Sequence, residues 1–182
     1  LDTRQSARDL NLPFNTKWSL RKMEEKHGEY TIEMREKAER DRRERDVLYR
    51  QEMERLEKVD LTTVFDQTVW KEGESCATIL TKHKRVRDEG CEMGHCVGGY
   101  ANRVIHGDYI VAAIKSENGD RSTVGFYTDN EDGCLRVSFN QHYGRYNERV
   151  KNPEHLKLAQ TVLQSLQQMN LTKEKYDEAK TR

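Results

Sequence analysis

The fold is decided by the stretch from Tyr109 to Gln141, whose three apolar runs read YIVAAIKS (109–116), STVGFYT (122–128) and CLRVSFNQ (134–141). Each run is rich in the β-branched and aromatic residues that favour strands. The connectors Glu117–Asp120 and Asp129–Gly133 contain the Asn-Gly and Asp-Gly signals of tight turns. Because connectors this short join antiparallel neighbours, the stretch predicts a three-stranded antiparallel meander.

Two helices are predicted upstream of this meander. The apolar residues of Cys76–Glu89 recur at helical spacing, and the run ends at Gly90. A second, shorter helix is expected from about His95 to Ile105, because Gly107 follows at the position where a left-handed glycine commonly ends a helix. The two helices would therefore flank the segment around His95.

A further helix is predicted downstream of the meander. It begins at Pro153, a residue that favours the first helical turn, and runs to about Met169. Its apolar face is expected at Leu156, Ala159, Leu163 and Leu166. The sequence thus predicts an α+β fold in which residues 61–170 form one module and residues 171–182 form a polar tail.

Residues 1–60 are predicted to be a charged helical extension. After a lead-in over residues 1–16, helical spacing starts at Lys17, while Gly28 is expected to interrupt the helix and Thr31 to cap a second one. Residues 35–46 hold six basic and five acidic side chains, which is typical of a solvated helix with pairs four residues apart. A nucleic-acid-binding arm and a partner coiled coil are the alternatives for this helix.

Composition bounds the partners of the chain. Its 32 basic and 32 acidic residues give a formal net charge of +0, so contact with DNA or RNA would need a local basic patch. No apolar run approaches the ~18 residues that span a bilayer and no secretory signal is visible, so no membrane partner is predicted. The four cysteines lack the density of a secreted disulfide scaffold, and we expect reduced thiols in the cytoplasm.

The segment densest in reactive side chains is Gly90–Tyr100, which holds two cysteines, one histidine and four glycines. Cys96 is predicted near a helix start, where the helix dipole favours a thiolate, and His95 or His142 could act as its base. A cysteine nucleophile is therefore one interpretation. The other is a small buried side chain at a tight helix contact, with the neighbouring glycines present for close approach.

A zinc site is a weaker interpretation of the same segment. The candidate ligands are Cys91, His95 and Cys96, with Cys76, Cys134 or His142 as a fourth. No C-x₂-C pair occurs, and adjacent helical residues point in different directions, so we predict no metal and no cofactor. The G-x-x-x-x-G-K-[ST] phosphate loop and the G-x-S-x-G nucleophile elbow are also absent from the sequence, which leaves NTPase and hydrolase assignments without support.

The loop after the last predicted strand is rich in amides, aromatic rings and basic groups. Tyr143 and Tyr146 could stack on bases while Arg145 and Arg149 contact phosphates, as in single-strand binders. The alternative is a polar loop whose side-chain amides bind backbone groups. A second basic cluster, which by itself is usually a solvated helix face, consists of Lys82, Lys84, Arg85 and Arg87.

Several short motifs follow one another along the middle of the chain. They are MxHCVGGY at 93–100, Gly107, IxS at 114–116, RxT at 121–123 and QxxGxxN at 141–147. In this combination the chain resembles the PcfJ-like family of conjugative plasmids, phages and other mobile elements, which implies a role linked to DNA processing or transfer. One departure is Gly125-Phe126, where the resemblance leads us to expect an acidic or aliphatic strand ending. The site residues that the resemblance carries over are His95, Cys96, Tyr100, Ser116, Arg121, Gln141 and Asn147.

The predicted topology returns the end of the last strand to the start of the second helix. One cleft would then be lined by Cys96, His95, Gln141, His142 and Asn147. The favoured function is a nucleic-acid-associated accessory protein of a phage or plasmid, with DNA or RNA as partner. The alternatives are a cysteine-dependent enzyme, in which Gln141 or Asn147 steadies an oxyanion, and an inhibitor or adaptor that contacts another protein through the charged N-terminal helices.

Overall fold

The computed structural model describes residues 3–182, so the first two residues of the predicted lead-in and extension lie outside it. The chain forms two compact units, which divide between Met53 and Glu54. Helices α1, Thr3–Asp9, and α2, Leu20–Lys58, precede the sheet, and a 3-10 helix at Leu61–Val64 lies between α2 and the first strand.

Helix α2 is continuous over 39 residues, so the predicted interruption at Gly28 is wrong. A single glycine costs a helix only about 1 kcal/mol, and the Glu, Lys and Arg residues around it favour helix. Thr31 lies inside the helix, where its hydroxyl donates to the His27 carbonyl at 2.7 Å instead of capping a new helix. Exposed pairs such as Arg43–Glu39 at 3.5 Å follow the helix surface, as the alternating charges predicted.

One five-stranded sheet follows, and every neighbouring pair in it is antiparallel. Its strands, in both spatial and chain order, are β1 Val69–Glu72, β2 Ser75–Ile79, β3 Tyr109–Ser116, β4 Arg121–Glu131 and β5 Cys134–Gly144. The α+β class is therefore confirmed, and the predicted meander is present as β3, β4 and β5. The expected total of three strands is wrong, because β1 and β2 extend the sheet by two.

The helix predicted over Cys76–Glu89 is also wrong in its first half. Ser75, Ala77 and Ile79 are buried and alternate with half-buried residues, which is the period of a strand. The helix α3 begins only at His83 and ends at Met93, where Gly94 takes a left-handed conformation with φ 65°.

The remaining helices position the sites. A 3-10 helix at Cys96–Tyr100 continues into α4, Ala101–His106, which ends at Gly107 with φ 76°, as its sequence position predicted. Helix α5 spans Pro153–Gln168. The stretch 171–182, expected as a polar tail, contains α6, Lys173–Thr181, where Tyr176 is fully buried.

The sheet has helices on both faces, and its strand residues alternate between them. Ser122 of β4 faces α5, where it contacts His155, whereas the adjacent Thr123 faces α3, where it contacts Glu89. In β5 the regular pairing is interrupted next to Asn140, because Gly125 pairs with Gln141 while the following residue of β4 pairs with Phe139. This β-bulge adds one residue to β5 and resets its alternation.

Helix α5 buries two of its four predicted core residues, Ala159 and Leu166, together with others that were not predicted. Its buried residues are His155, Leu158, Ala159, Val162 and Leu166. Leu156, expected on the buried face, is 45% exposed. The apolar stripe of the sequence is wider than the surface that the sheet covers, and its uncovered edge borders a cavity described below.

Candidate functional site

A small cavity on the α3 face of the sheet brings together much of the predicted cleft. Its volume is about 10 Å³, room for one water molecule at most. Its lining residues are His95, Cys96, Val97, Thr123, Gly125, Gln141, Tyr143 and Asn147. The structure therefore places the His-Cys segment and the amide-bearing end of β5 side by side, with Cys96 itself exposed.

His142 does not join them, because it lies on the opposite face of the sheet. Its ring contacts Ser122 at 2.8 Å, on the side covered by α5. The predicted role of His142 as a base for Cys96 is thus not compatible with its position. His95 is the imidazole beside the thiol, and its Nε2 is buried without a hydrogen-bond partner among the described residues. Burial lowers the pKa of His95, and the charge of Glu89 partly opposes this shift.

Close backbone approach sets the position of Cys96. A Cβ atom on Gly90 of α3 would lie 2.4 Å from the backbone nitrogen of Gly98, so these two glycines let the 3-10 helix pack directly on α3. A Cβ on Gly99 would meet nothing within 4 Å, so only part of the glycine cluster serves this contact.

The other wall is held by two residues in an unusual backbone conformation. Tyr146 and Asn147 have positive φ angles of 56° and 62°, which cost energy for residues with a side chain and commonly occur at functional sites. The Tyr146 ring packs over the backbone of Gly94, where an added Cβ would lie 2.5 Å from the ring. This contact sets the turn that carries Asn147 to the cavity.

Arg121, a residue carried over from the family resemblance, clamps α3 to β4. Its guanidinium donates to Glu89 at 2.7 Å and to Glu92 at 2.6 Å. Glu89 is only 5% exposed and also accepts from Thr123 at 2.6 Å. The charge of Arg121 is therefore compensated within the protein, which makes it a structural contact more than a free cation.

On the α5 face a row of six polar side chains forms a continuous hydrogen-bond chain. Successive contacts measure between 2.6 and 2.8 Å. In order, the chain runs through His142, Ser122, His155, Ser116, Ser75 and Glu154. Ser116, another strand residue that the resemblance carried over, lies at its centre.

The carboxylate at one end fixes the direction of the protons. A carboxylate only accepts, so Ser75 donates to Glu154 and accepts from Ser116. Ser116 in turn accepts from the Nε2–H of His155. Neutral His155 then offers Nδ1 as an acceptor, which is the tautomer that the remaining contacts require.

The same logic fixes the tautomer of His142. Ser122 donates to Nδ1 of His155 and accepts from Nε2–H of His142, which leaves Nδ1 of His142 as an acceptor. Burial, with a smaller contribution from His155, lowers the pKa of His142 to about 4. Burial also lowers the pKa of His155, with Asp120 and Glu154 opposing the shift. Both rings are therefore neutral near pH 7, in agreement with the proton directions.

A polar cavity of about 400 Å³ lies beside the end of β5. Its basic lining residues are Arg121, Arg145, Arg149 and Lys151, and its acidic ones are Asp120 and Glu148. Over residues 3–182 no carboxylate lies within 4 Å of a side-chain nitrogen of Arg145, Arg149 or Lys151. These three side chains, called the basic cluster below, therefore form no ion pair within residues 3–182.

The second predicted basic cluster is separate. Lys82 precedes the first residue of α3 and pairs with Asp60 at 3.1 Å, and the exposed Lys84, Arg85 and Arg87 follow in the first turns. Tyr146 packs at the opposite end of this 11-residue helix, roughly 16 Å away at 1.5 Å per residue. The last turn of the helix carries the acidic Glu92. The structure therefore does not merge the two clusters.

The last predicted candidate, Tyr100, belongs to an aromatic group. Its ring stacks on Tyr109 with centroids 4.7 Å apart, and the Arg103 guanidinium lies 5.5 Å from its centroid. Tyr109 also meets Tyr127 edge-on at 5.5 Å. These contacts give Tyr100 a packing role between α4 and the sheet.

Sequence reasoning missed several members of these networks. They are Ser75, Glu89, Ser122, Glu154 and His155. A signal existed for His155, because it occupies the first position of the buried stripe that continues at Leu158, Ala159 and Val162. A histidine on such a stripe indicates a polar partner across the interface.

The described part of the chain has neither a cluster of metal ligands nor a helix suited to a bilayer. Within residues 3–182, no three His, Cys, Asp or Glu side chains are grouped closely enough to hold a metal ion. Over the same residues, no helix has the length and apolar character needed to cross a membrane.

Comparison with known proteins adds one match. No curated protein and no solved structure matches the chain significantly. The model of a family described as PcfJ-like protein matches residues 2–158, which includes α3, the His-Cys segment, all five strands and the start of α5. Because this match covers most of the 182 residues and every strand of the sheet, the chain belongs to the PcfJ-like family.

Proposed function

We propose that this protein binds single-stranded nucleic acid, as an accessory protein of a phage or plasmid that acts in DNA processing or transfer. The observation that carries the proposal is the basic cluster, in which Arg145, Arg149 and Lys151 line one polar cavity and form no ion pair within 4 Å among the described residues. Cations left unpaired by the protein are available for phosphates, and binding releases the counterions of the strand.

Aromatic rings beside the basic cluster support a single strand over a duplex. Tyr146 is 72% exposed and Tyr143 is 40% exposed, and both belong to the segment that carries Arg145. Exposed rings next to phosphate-binding cations form the stacking platform typical of single-strand binders. Membership of the PcfJ-like family agrees with the proposed setting in mobile elements.

The test is a salt titration of binding to a short single-stranded oligonucleotide, with charge reversal of two basic side chains. Arg145→Glu combined with Arg149→Glu is expected to weaken binding at least tenfold and to reduce the salt slope by roughly 1.4, since each lost contact contributes about 0.7 on single strands. Arg136→Glu is the matched control, because Arg136 is 75% exposed and pairs with Glu131 near the other end of β5. Binding that is absent, or that is insensitive to salt and to the double reversal, contradicts the proposal.

A second candidate function is favoured by the cavity at Cys96. His95, Gln141 and Asn147 line one cavity with Cys96, and a cysteine nucleophile would need a base and oxyanion donors close to it. Under this alternative, iodoacetamide near neutral pH modifies Cys96 faster than Cys91 and Cys134, the two other exposed thiols. Equal rates at the three thiols would count against it.

A further inference from the structure

A mostly apolar cavity of about 470 Å³ adjoins the basic cluster. Its volume lies within the range of roughly 300–1,000 Å³ typical of small-molecule sites. Arg149 and Val150 line both this cavity and the polar one, so the two are neighbours. The other lining residues are Phe139, His142, Leu156, Ala159, Gln160 and Leu163.

The apolar walls of this cavity are left uncovered by the described chain. Phe139 is 52% exposed and Leu156 is 45% exposed. Both lie beside the residues that α5 buries on the sheet, and neither is part of the buried core of the second unit. An uncovered apolar surface next to unpaired cations suits a ligand that has a flat apolar part and a charged part.

His142 gives the cavity a hydrogen-bond acceptor of fixed orientation. Its Nε2–H is committed to Ser122, and the chain of hydroxyls that ends at Glu154 holds this tautomer. Nδ1 is left as an acceptor with no partner among residues 3–182. The side chain of Gln160 supplies both a donor and an acceptor to the same cavity.

We infer that this cavity takes one unstacked base of the single strand whose phosphates contact the basic cluster. The inference rests on the proposed function and specifies how the strand is held. A base has an apolar face for Phe139 and Leu156 and N–H groups at its edge for the free acceptor of His142. Arg149, at the boundary of the two cavities, is placed to contact the phosphate attached to that base.

The experiment compares an oligothymidylate strand with a strand of equal length that carries abasic sites throughout. The abasic strand keeps the phosphates but has no bases. The dissociation constant of the abasic strand divided by that of oligothymidylate therefore measures the contribution of the bases. Tyr143 and Tyr146 contribute to this ratio as well, and the variant Phe139→Ala isolates the cavity. Phe139→Ala is expected to lower the ratio about tenfold, since one base stacked on an aromatic ring contributes that much or more.

The salt slope serves as the internal control, because Phe139→Ala removes no charge and should leave the slope unchanged. Val69→Ala is the matched variant, since Val69 is 41% exposed on β1 at the opposite edge of the sheet, and it should retain the full ratio. Fluorescence of 2-aminopurine in an oligoadenylate strand gives a second measurement and should rise when the base leaves the stack.

Three outcomes separate the inference from the proposed function. A lower ratio with Phe139→Ala and a fluorescence rise support both. Salt-dependent binding in which Phe139→Ala and Val69→Ala give the same ratio, without a fluorescence change, overturns the base site and leaves the phosphate contacts standing. Loss of all salt-dependent binding overturns both together.

Discussion

Gly125 lies in the middle of β4, directly under the ring of the fully buried Tyr109. A Cβ atom on Gly125 would be 2.0 Å from the Tyr109 hydroxyl oxygen, which donates to the Asn140 side chain at 2.6 Å. This contact gives a physical reason for a glycine at this position, where the resemblance led us to expect an acidic or aliphatic strand ending. An aliphatic or acidic side chain here would displace the tyrosine that supports the bulge of β5.

The same contact predicts the effect of a single methyl group. Gly125→Ala is expected to lower the free energy of unfolding by about 1–3 kcal/mol, because the ring of Tyr109 has to move out of a packed position. Gly99→Ala is the control, since its Cβ would meet nothing within 4 Å, and it should change stability by less than about 0.5 kcal/mol. Urea denaturation of the two variants measures the difference. Equal stability of both variants would contradict the packing described for Tyr109.

The buried histidines predict how stability responds to acid. The pKa of His142 falls from 6.5 to about 4 on folding, so the unfolded chain takes up a proton at a pH where the folded protein does not. The contribution of this group to stability is complete above about pH 6.5 and is lost as the pH falls towards about 4. His155, whose pKa is lowered in the same direction, adds to the effect.

Urea unfolding at several pH values in this window measures how the free energy of unfolding changes with pH. His142→Gln removes the titrating group and keeps an N–H donor for Ser122, so the variant should lose less stability on acidification than the parent protein. A parent protein equally stable at both ends of the window would rule out the neutral, buried state of these imidazoles.

At the scale of elements, α3 and β4 are joined by the Arg121 clamp. Replacing Arg121 by Met leaves the Glu89 carboxylate buried without its cation, and we expect a loss of about 3–5 kcal/mol in the free energy of unfolding. Adding Glu89→Gln should restore part of this loss, because the uncompensated charge is then gone. Arg136→Met, which breaks an exposed pair, should cost less than about 1 kcal/mol. If the effects of Arg121→Met and Glu89→Gln on the free energy of unfolding simply add, the two residues are not an energetically coupled pair.

The elements also show which structural signals the sequence contains. β3, β4 and β5 were predictable because Asn-Gly and Asp-Gly turns divide three apolar runs, which leaves one pairing pattern. β2 is only five residues long and is followed at once by helix-forming residues. Its short alternation of residues is therefore hard to distinguish from the beginning of a helix. In α5 the buried stripe begins at His155 and not at Leu156, because a polar residue occupies the first position of the buried face.

The candidate sites were predictable to the extent that they depend on topology. The meeting of Cys96 with Gln141 and Asn147 follows from the order of the meander and the turn after it. The position of His142 depends on which face each residue of β5 occupies. The bulge at Asn140, whose side chain accepts a hydrogen bond from Tyr109 of β3, sets this. Hydrogen bonds between Ser75, Ser116 and His155 join elements far apart in the chain, so no local pattern announces them.

For the whole molecule, the division into two units predicts where the chain can be cut. Leu56 and Val59 belong to the second unit and are 3% and 5% exposed. A fragment that begins at Glu54 keeps both residues and should unfold cooperatively. A fragment that begins at Asp60 loses them, and we expect it to be less stable by roughly 3 kcal/mol or more, since each buried side chain of this size contributes about 1.5–3 kcal/mol.

Thermal unfolding followed by circular dichroism compares the two fragments. The fragment that begins at Glu54 should melt in one transition and at the higher temperature. Equal melting temperatures would show that the end of α2 contributes nothing to the second unit.

The bulge in β5 has a consequence for the lengths that this strand can adopt. A deletion at an ordinary strand position moves every residue on one side of the deletion to the opposite face of the sheet. Residues that line the Cys96 cavity would then face the His142 cavity, and the reverse. Removing Asn140 is different, because the strand then regains simple alternation while Phe139 and His142 stay on one face and Gln141 on the other. Natural length variation in this strand should therefore concentrate at that single residue, at the expense of the partner that the Tyr109 hydroxyl now has.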